Sequence, residues 1–187
     1  MIRGGRGDDT IYSVNVDGNV GSNGNVLWVE GNEGDDYIIG GDSQQISAHY
    51  WGGSGDDYME SGDYNAGGVT VHGNDGDDFI RVGDANSGDL TAKGNRGDDY
   101  IVGGEYNQRE DLWGGKGDDY VIGGSNTGSQ PNEPTSLQRL SGGSGDDYIV
   151  GGQYGYDQYL VGGIGEDIIY SYPNDVRYGV TYIWGDY

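Results

Sequence analysis

The sequence predicts an all-β protein, a right-handed parallel β-roll or β-solenoid of about eight coils of ~21 residues, with two short strands per coil. The first two observations that support this prediction are a repeated motif and its nearly constant spacing. The pattern Gly-(Gly/Asn)-x-Gly-(Asp/Glu)-Asp-x-hydrophobic occurs eight times, and its copies start 27, 21, 21, 21, 20, 28 and 20 residues apart. The copies begin at Gly4, Gly31, Gly52, Gly73, Gly94, Gly114, Gly142 and Gly162. A repeat near 21 residues is typical of stacked coils.

The third observation is that the apolar residues are in register with the repeat. One column lies two residues after the second acid of each motif: Ile11, Ile38, Met59, Ile80, Ile101, Val121, Ile149 and Ile169. A second column lies two residues before the next motif: Val29, Tyr50, Val71, Ala92, Leu112, Leu140, Leu160 and Ile183. Two inward-facing columns indicate two strands in each coil. Stacked coils pair these strands in parallel, and parallel crossovers are right-handed in about 98% of cases.

The composition is that of a disordered chain unless the repeat is taken into account. The chain has 41 glycines, a net charge of -23 and only 33% hydrophobic residues. The periodic columns reverse this interpretation, because they provide a continuous apolar core. With nine Lys and Arg against 32 Asp and Glu, nucleic acid is not an expected partner. The absence of cysteine excludes disulfides, and no apolar run is long enough for a membrane span.

Stacking also brings the paired acids of the motifs into two rows. The second-acid row contains Asp9, Asp36, Asp57, Asp78, Asp99, Asp119, Asp147 and Asp167. The first-acid row beside it contains Asp8, Asp35, Asp56, Asp77, Asp98, Asp118, Asp146 and Glu166. Unit charges about 4 Å apart repel by ~1 kcal/mol even in water. A hard divalent cation between coils removes this repulsion, and calcium accepts carboxylate and carbonyl oxygens in less rigid geometry than magnesium does.

The motif resembles a known family. Residues 142–150, Gly-Gly-Ser-Gly-Asp-Asp-Tyr-Ile-Val, resemble the nonapeptide of RTX (repeats-in-toxin, hemolysin-type) proteins, Gly-Gly-x-Gly-x-Asp-x-hydrophobic-x. This resemblance implies a calcium-binding β-roll with the second-acid row as side-chain ligands. It also implies carbonyl ligands from the motif turn, which we assign to the second and fourth motif residues. These are Gly5, Gly7, Asn32, Gly34, Gly53, Gly55, Asn74, Gly76, Asn95, Gly97, Gly115, Gly117, Gly143, Gly145, Gly163 and Gly165. Because each ion bridges two coils, about seven calcium ions in one column are expected.

The chain departs from the usual family pattern, in which the nonapeptides run in tandem. Only every other turn carries the motif; the alternate turns begin Gly40-Gly41-Asp42, Ser61-Gly62-Asp63, Val82-Gly83-Asp84 and Gly103-Gly104-Glu105 and then lose the acid. One full calcium column is therefore expected, and a second, weaker column on the alternate turns remains open. A two-sided or three-sided cross-section remains open as well. Two steps are lengthened, between Asp17 and Asn25 and between Ser125 and Leu137, and are predicted to be surface insertions.

An aromatic column follows the acid pairs on the side predicted to face solvent. It reads Thr10, Tyr37, Tyr58, Phe79, Tyr100, Tyr120, Tyr148 and Ile168. Stacked rings there could brace neighbouring coils, or the column could dock a polysaccharide or another domain. The acid pairs do not indicate an enzyme, because glycoside hydrolysis needs two unequal carboxyls at one place, whereas this pair recurs eight times. His49 and His72 are expected to be a surface pair and not a zinc site.

These observations predict a single domain over residues 1–187, either a fragment of a larger protein or a subunit that stacks end to end on other copies. The expected function is a calcium-binding structural module of a secreted or cell-surface bacterial protein. It would serve as scaffold, spacer or assembly unit in an adhesin, surface-layer or filament protein. The alternative is a polysaccharide-binding or secretion-assisting module of an RTX enzyme or toxin.

Overall fold

The computed structural model describes residues 1–13, 26–42, 46–84, 86–125, 137–153, 157–172 and 181–185. In these residues the chain forms 17 strands and no helix. The strands are β1 (Ile2–Arg6), β2 (Thr10–Tyr12), β3 (Val26–Glu33), β4 (Tyr37–Ile39), β5 (Ser47–Ser54), β6 (Tyr58–Glu60), β7 (Val69–Asp75), β8 (Phe79–Arg81), β9 (Asp89–Arg96), β10 (Tyr100–Val102), β11 (Arg109–Lys116), β12 (Tyr120–Ile122), β13 (Leu137–Ser144), β14 (Tyr148–Val150), β15 (Asp157–Ile164), β16 (Ile168–Tyr170) and β17 (Thr181–Trp184).

The strands form two parallel sheets. The odd-numbered strands make a nine-stranded sheet and the even-numbered strands an eight-stranded sheet, each in chain order. Each coil therefore contributes one strand to each sheet, which is a two-sided β-solenoid, and the predicted fold class is confirmed. The strands of a coil are unequal, because β3 to β15 of the odd sheet have seven or eight residues and the even strands have three. The long strands continue into the first three residues of the motif.

The expected number of coils is slightly too high. About six complete turns are stacked on both sides, whereas β1, β2, β16 and β17 pair on one side only among the described residues. Most of the two lengthened segments, residues 14–25 and 126–136, lies outside the described residues. No helix in the described part of the chain is long and apolar enough to span a membrane.

The core is formed by the two predicted columns. The register pairs Val29 with Tyr50, then Val71, Ala92 and the rest of that column in order. In the even sheet, the column from Ile11 to Ile149 is buried. The outermost members are less buried, since Ile169 is partly buried and Ile183 is 48% exposed. The columns lie in register because equal repeats pair like residues in parallel ladders.

Candidate metal-binding edge

The motif turns join each long strand to the next short strand, and we call this side of the roll the motif edge. Their second and fourth residues have left-handed backbone, as at Asn95 (φ 88°) and Gly97 (φ 120°). Glycine adopts this conformation without strain and asparagine tolerates it. A side chain at Gly97 would also overlap the carbonyl oxygen of Gly76 in the preceding coil. These carbonyl oxygens therefore face the gap between successive coils.

The second-acid row lies inside these turns. From Asp36 to Asp147 its residues are at most 2% exposed. Oδ1 of each of these residues accepts a hydrogen bond from the backbone N–H of the second acid in the preceding coil. Asp78 N donates to Asp99 Oδ1 at 2.9 Å, and Asp99 N donates to Asp119 Oδ1 at 2.9 Å. The contact recurs at 2.8–3.0 Å from the first motif to the last. One carboxylate oxygen of each residue thus links two successive coils by a hydrogen bond.

The other carboxylate oxygen of the row is buried without a hydrogen-bond partner. The oxygens concerned are Oδ2 of Asp9, Asp36, Asp57, Asp78, Asp99, Asp119, Asp147 and Asp167. Each lies against the first glycine of its motif, so that a side chain at Gly94 would overlap Asp99 Oδ2. A buried carboxylate oxygen without a donor is costly, and a cation or a proton removes the cost. The repeated oxygen fits a hard cation, because such ions prefer carboxylate ligands.

The electrostatics of the row agree with this geometry. The pKa is raised to about 7 for Asp57 and Asp99, to about 8 for Asp78 and Asp119, and to about 6 for Asp147. Burial is the main cause, and repulsion from neighbouring carboxylates adds to it. The backbone hydrogen bond that each carboxylate accepts opposes the increase. Without a cation, Asp78 and Asp119 in the middle of the row therefore favour protonated carboxyls near neutral pH.

The first-acid row is exposed and bonds in the opposite direction along the roll. Asp98 Oδ1 accepts from the backbone N–H of Asp118 in the following coil at 2.8 Å. The contact recurs at 2.7–3.0 Å from Asp8 to Glu166. The sequence predicted the two rows but no bonding role for this one. The exact repetition of an acid at this position was the available signal.

In the part of the chain that the structure describes, the side chains alone do not form a metal cluster. No group of three or more His, Cys, Asp or Glu side chains that could hold a metal ion occurs in the described ranges. Each gap between coils brings together the second acids of two motifs and the glycine-turn carbonyls. A cation there would thus depend on backbone oxygens for most of its ligands.

The turns on the opposite side, which join each short strand to the next long strand, form the alternate edge. Among the described residues, five side-chain amides on this side are at most 1% exposed: Asn65, Asn86 and Asn107 in the turns, and Gln138 and Gln158 near the start of the long strands β13 and β15. The three asparagines follow Gly-(Asp/Glu)-x at a spacing of 21 residues, which is a signal that the sequence analysis missed. The two glutamines lie at a third inward-facing position, two residues before the second apolar column in each long strand. Leu90 occupies this position in an earlier coil.

Glu110 also occupies this inward position and is completely buried. Its Oε1 accepts from Asn107 Nδ2 at 3.0 Å, and its Oε2 accepts from Gln138 Nε2 at 2.8 Å and Gly124 N at 3.1 Å. Burial raises the pKa of the carboxyl, whereas these donors lower it. The apolar column Ala48, Val69, Leu90 thus becomes polar from Glu110 onward, where it hydrogen-bonds the alternate turns.

The aromatic column forms a continuous stack. From Tyr37 to Tyr148, neighbouring ring centroids are 4.6–5.4 Å apart and the planes differ by 3–15°. The neighbours cover both faces of each inner ring, which supports the bracing interpretation over docking on ring faces. On the odd sheet, His49 and His72 each stack on Trp51, with centroids 5.5 and 6.1 Å apart.

One comparison with known proteins gives a match. The family model of the RTX calcium-binding nonapeptide repeat, which spans four copies, matches residues 1–13, 28–44, 84–105, 110–127 and 139–153. No curated protein and no solved structure matches the chain. The matched segments include motif turns whose buried Oδ2 atoms are described above.

Proposed function

We propose that this chain, an RTX-type calcium-binding β-roll repeat protein, holds its calcium ions in one column along the motif edge. Similarity to the family implies that the chain is a calcium-binding repeat module of a bacterial protein. Modules of this kind are structural and usually non-catalytic. The observation that carries the proposal is the row of eight Oδ2 atoms, each buried without a hydrogen-bond donor. A column of divalent cations would satisfy all of them at once.

The proposed ligands of each ion come from two successive coils. The second-acid row supplies one carboxylate oxygen per coil, and the second and fourth motif residues supply carbonyl oxygens. The overlap that a side chain at Gly97 would make with the Gly76 carbonyl supports this assignment, because it puts that oxygen in the gap. Bound calcium supplies positive charge to the row. About seven ions would fill the gaps between eight motifs.

The proposed role is that of a rigid scaffold or spacer within a single domain of a secreted or cell-surface protein. The continuous ladders support it, because each coil from β1 and β2 to β15 and β16 hydrogen-bonds to the next through both sheets. A polysaccharide-binding role gains no support from the aromatic column, whose inner ring faces are covered. End-to-end association of copies remains a prediction. Growth of the sedimentation coefficient across a calcium titration would support it, and a monomer at saturating calcium would contradict it.

Calcium titration of the purified chain tests the proposed function. In chelator we expect loss of most of the β-sheet circular dichroism signal, because eight carboxylates then share a narrow, largely buried row. Millimolar calcium should restore the signal, and magnesium at the same concentration serves as the control that restores it poorly. Equilibrium dialysis should give several bound ions per chain. Failure to bind calcium would contradict the proposal.

A further inference from the structure

The alternate edge repeats the hydrogen bonding of the second-acid row with a different side chain. Asn65 N donates to Asn86 Oδ1 at 2.7 Å, and Asn86 N donates to Asn107 Oδ1 at 2.7 Å. The bond has the same direction and spans the same step as that from Asp57 N to Asp78 Oδ1. The three asparagines thus occupy the position that corresponds to the second acid of the motif. The two edges differ in the other terminal atom of this side chain, which is Oδ2 in the second-acid row and Nδ2 in the asparagines.

The carbonyl oxygens of the two edges also correspond. A side chain at Gly104 would overlap the carbonyl oxygen of Gly83, just as one at Gly97 would overlap that of Gly76. Both edges thus carry a column of glycine carbonyls that face the next coil. On the motif edge the adjacent side-chain atom is a carboxylate oxygen. Two oxygen columns repel each other unless a positive group lies between them.

On the alternate edge the amide nitrogens fill this position. Asn107 Nδ2 donates to the carbonyl oxygens of Gly104 at 3.0 Å and Gly83 at 3.1 Å, which belong to successive coils. Asn86 Nδ2 donates to Gly83 O at 2.7 Å. Farther along, Gln138 Nε2 donates to Gly124 O at 3.0 Å and Gln158 Nε2 to Gly152 O at 2.5 Å. An amide group thus supplies the positive partner to each of these carbonyls.

We infer that Asn65, Asn86 and Asn107 determine which edge of the roll binds calcium. Their Nδ2 groups take the place that the cations take on the motif edge, so that the alternate edge of these coils closes without metal. Gln138 and Gln158 do the same in the later coils from the neighbouring strands. The inference rests on the proposed function, since it assigns the difference between the edges to a single atom of each side chain.

Replacing the amides by carboxylates tests the inference. The variant Asn65→Asp/Asn86→Asp/Asn107→Asp keeps every Oδ1 acceptor and converts each Nδ2 into an oxygen. By equilibrium dialysis we expect about two more bound calcium ions per chain, one for each gap between the three coils. The melting temperature should also depend more steeply on calcium concentration, because more ions bind the folded state. An unchanged ion count with an unchanged calcium dependence would overturn the inference.

Two matched controls separate the inference from the proposed function. Asp63→Asn alters a half-buried acid in one of the same turns and keeps the oxygen that accepts from Asp84 N, so the calcium count should not change. Asp78→Asn makes the reverse exchange on the motif edge and should reduce the count. Unchanged binding in Asp78→Asn would contradict the proposed function, whereas unchanged binding in the triple variant alone would contradict only the inference.

Hydrogen exchange of the unmodified chain gives a test that does not depend on whether the variants fold. The backbone amides of Asn65 and Asn86 donate to asparagine oxygens, and those of Asp57 and Asp78 donate to the carboxylates of the second-acid row. At calcium concentrations that lower the protection of the two aspartate amides but still retain the β-sheet circular dichroism signal, the two asparagine amides should keep their protection. Equal loss of protection on both edges while that signal is retained would overturn the inference.

Discussion

The two acids of each motif are adjacent in sequence, yet they have opposite environments. Asp98 is exposed and Asp99 is 1% exposed. Each accepts one backbone hydrogen bond from a neighbouring coil, Asp98 from Asp118 and Asp99 from Asp78. Every gap between coils is therefore closed by a bond in each direction. The two residues differ in the second carboxylate oxygen, which reaches water in the first-acid row and is buried without a donor in the second-acid row.

This comparison separates two roles that the motif combines. Both acids hold the register of the coils through Oδ1. Only the second acid has an oxygen left over inside the turn, and it is therefore the one whose stability contribution should depend on a cation. The substitutions and conditions that follow test whether the roles separate in this way, beginning with the largest expected effect.

Asp99→Ala should be the most damaging of the single changes. It removes a proposed ligand of two adjacent ions and leaves the buried N–H of Asp78 without its acceptor. The lost acceptor alone is expected to cost about 1–3 kcal/mol. Calcium affinity by titration calorimetry and the melting temperature in saturating calcium should fall together. A variant with the calcium affinity of the parent would exclude Asp99 as a ligand.

The metal-free chain should lose structure as pH rises. The pKa values of the second-acid row are raised from 3.8 to between about 6 and about 8 for Asp57, Asp78, Asp99, Asp119 and Asp147. Between pH ~4 and ~8 the folded row therefore holds protons that the unfolded chain has released, so stability decreases as pH rises through this window.

The measurement is the β-sheet signal and melting temperature in chelator from pH 4 to pH 8. Saturating calcium provides the control, because the ion binds deprotonated carboxylates and its affinity should increase with pH. The two series should therefore have slopes of opposite sign. A metal-free chain that becomes more stable toward pH 8 would contradict the burial of this row.

Asp98→Ala should have the smallest effect. It removes one acceptor at an exposed site, which is expected to cost about 0.5–1.5 kcal/mol, and it also removes one negative charge from a crowded row. The melting temperature should fall slightly, and by the same amount at low and high calcium. Losses of calcium affinity equal to those of Asp99→Ala would show that the two acids do not have separate roles.

Much of the architecture follows from the sequence alone. The repeat of ~21 residues predicts stacked coils, and the alternation of side chains along a strand then predicts which residues are inside. Val71, Leu112 and Ile101 are buried for this reason. The same alternation separates Asp98 from Asp99. These features depend only on the spacing of residues along the sequence, because coils of nearly equal length place equivalent residues opposite each other in the parallel ladders.

The cross-section of the roll and the contacts between its columns were determined only by the tertiary structure. The roll is two-sided because the alternate turns reverse the chain directly into the next long strand, which depends on backbone conformation at residues such as Tyr64 (φ 57°) and Tyr106 (φ 61°). The amide column was not predicted because it is assembled from different positions of the repeat, Asn107 in a turn and Gln138 in a strand, which meet only when coils stack. Sequence period determines which residues share a column. Contacts between columns depend on the path of the turns, and these contacts distinguish an edge suited to calcium from an edge closed by amides.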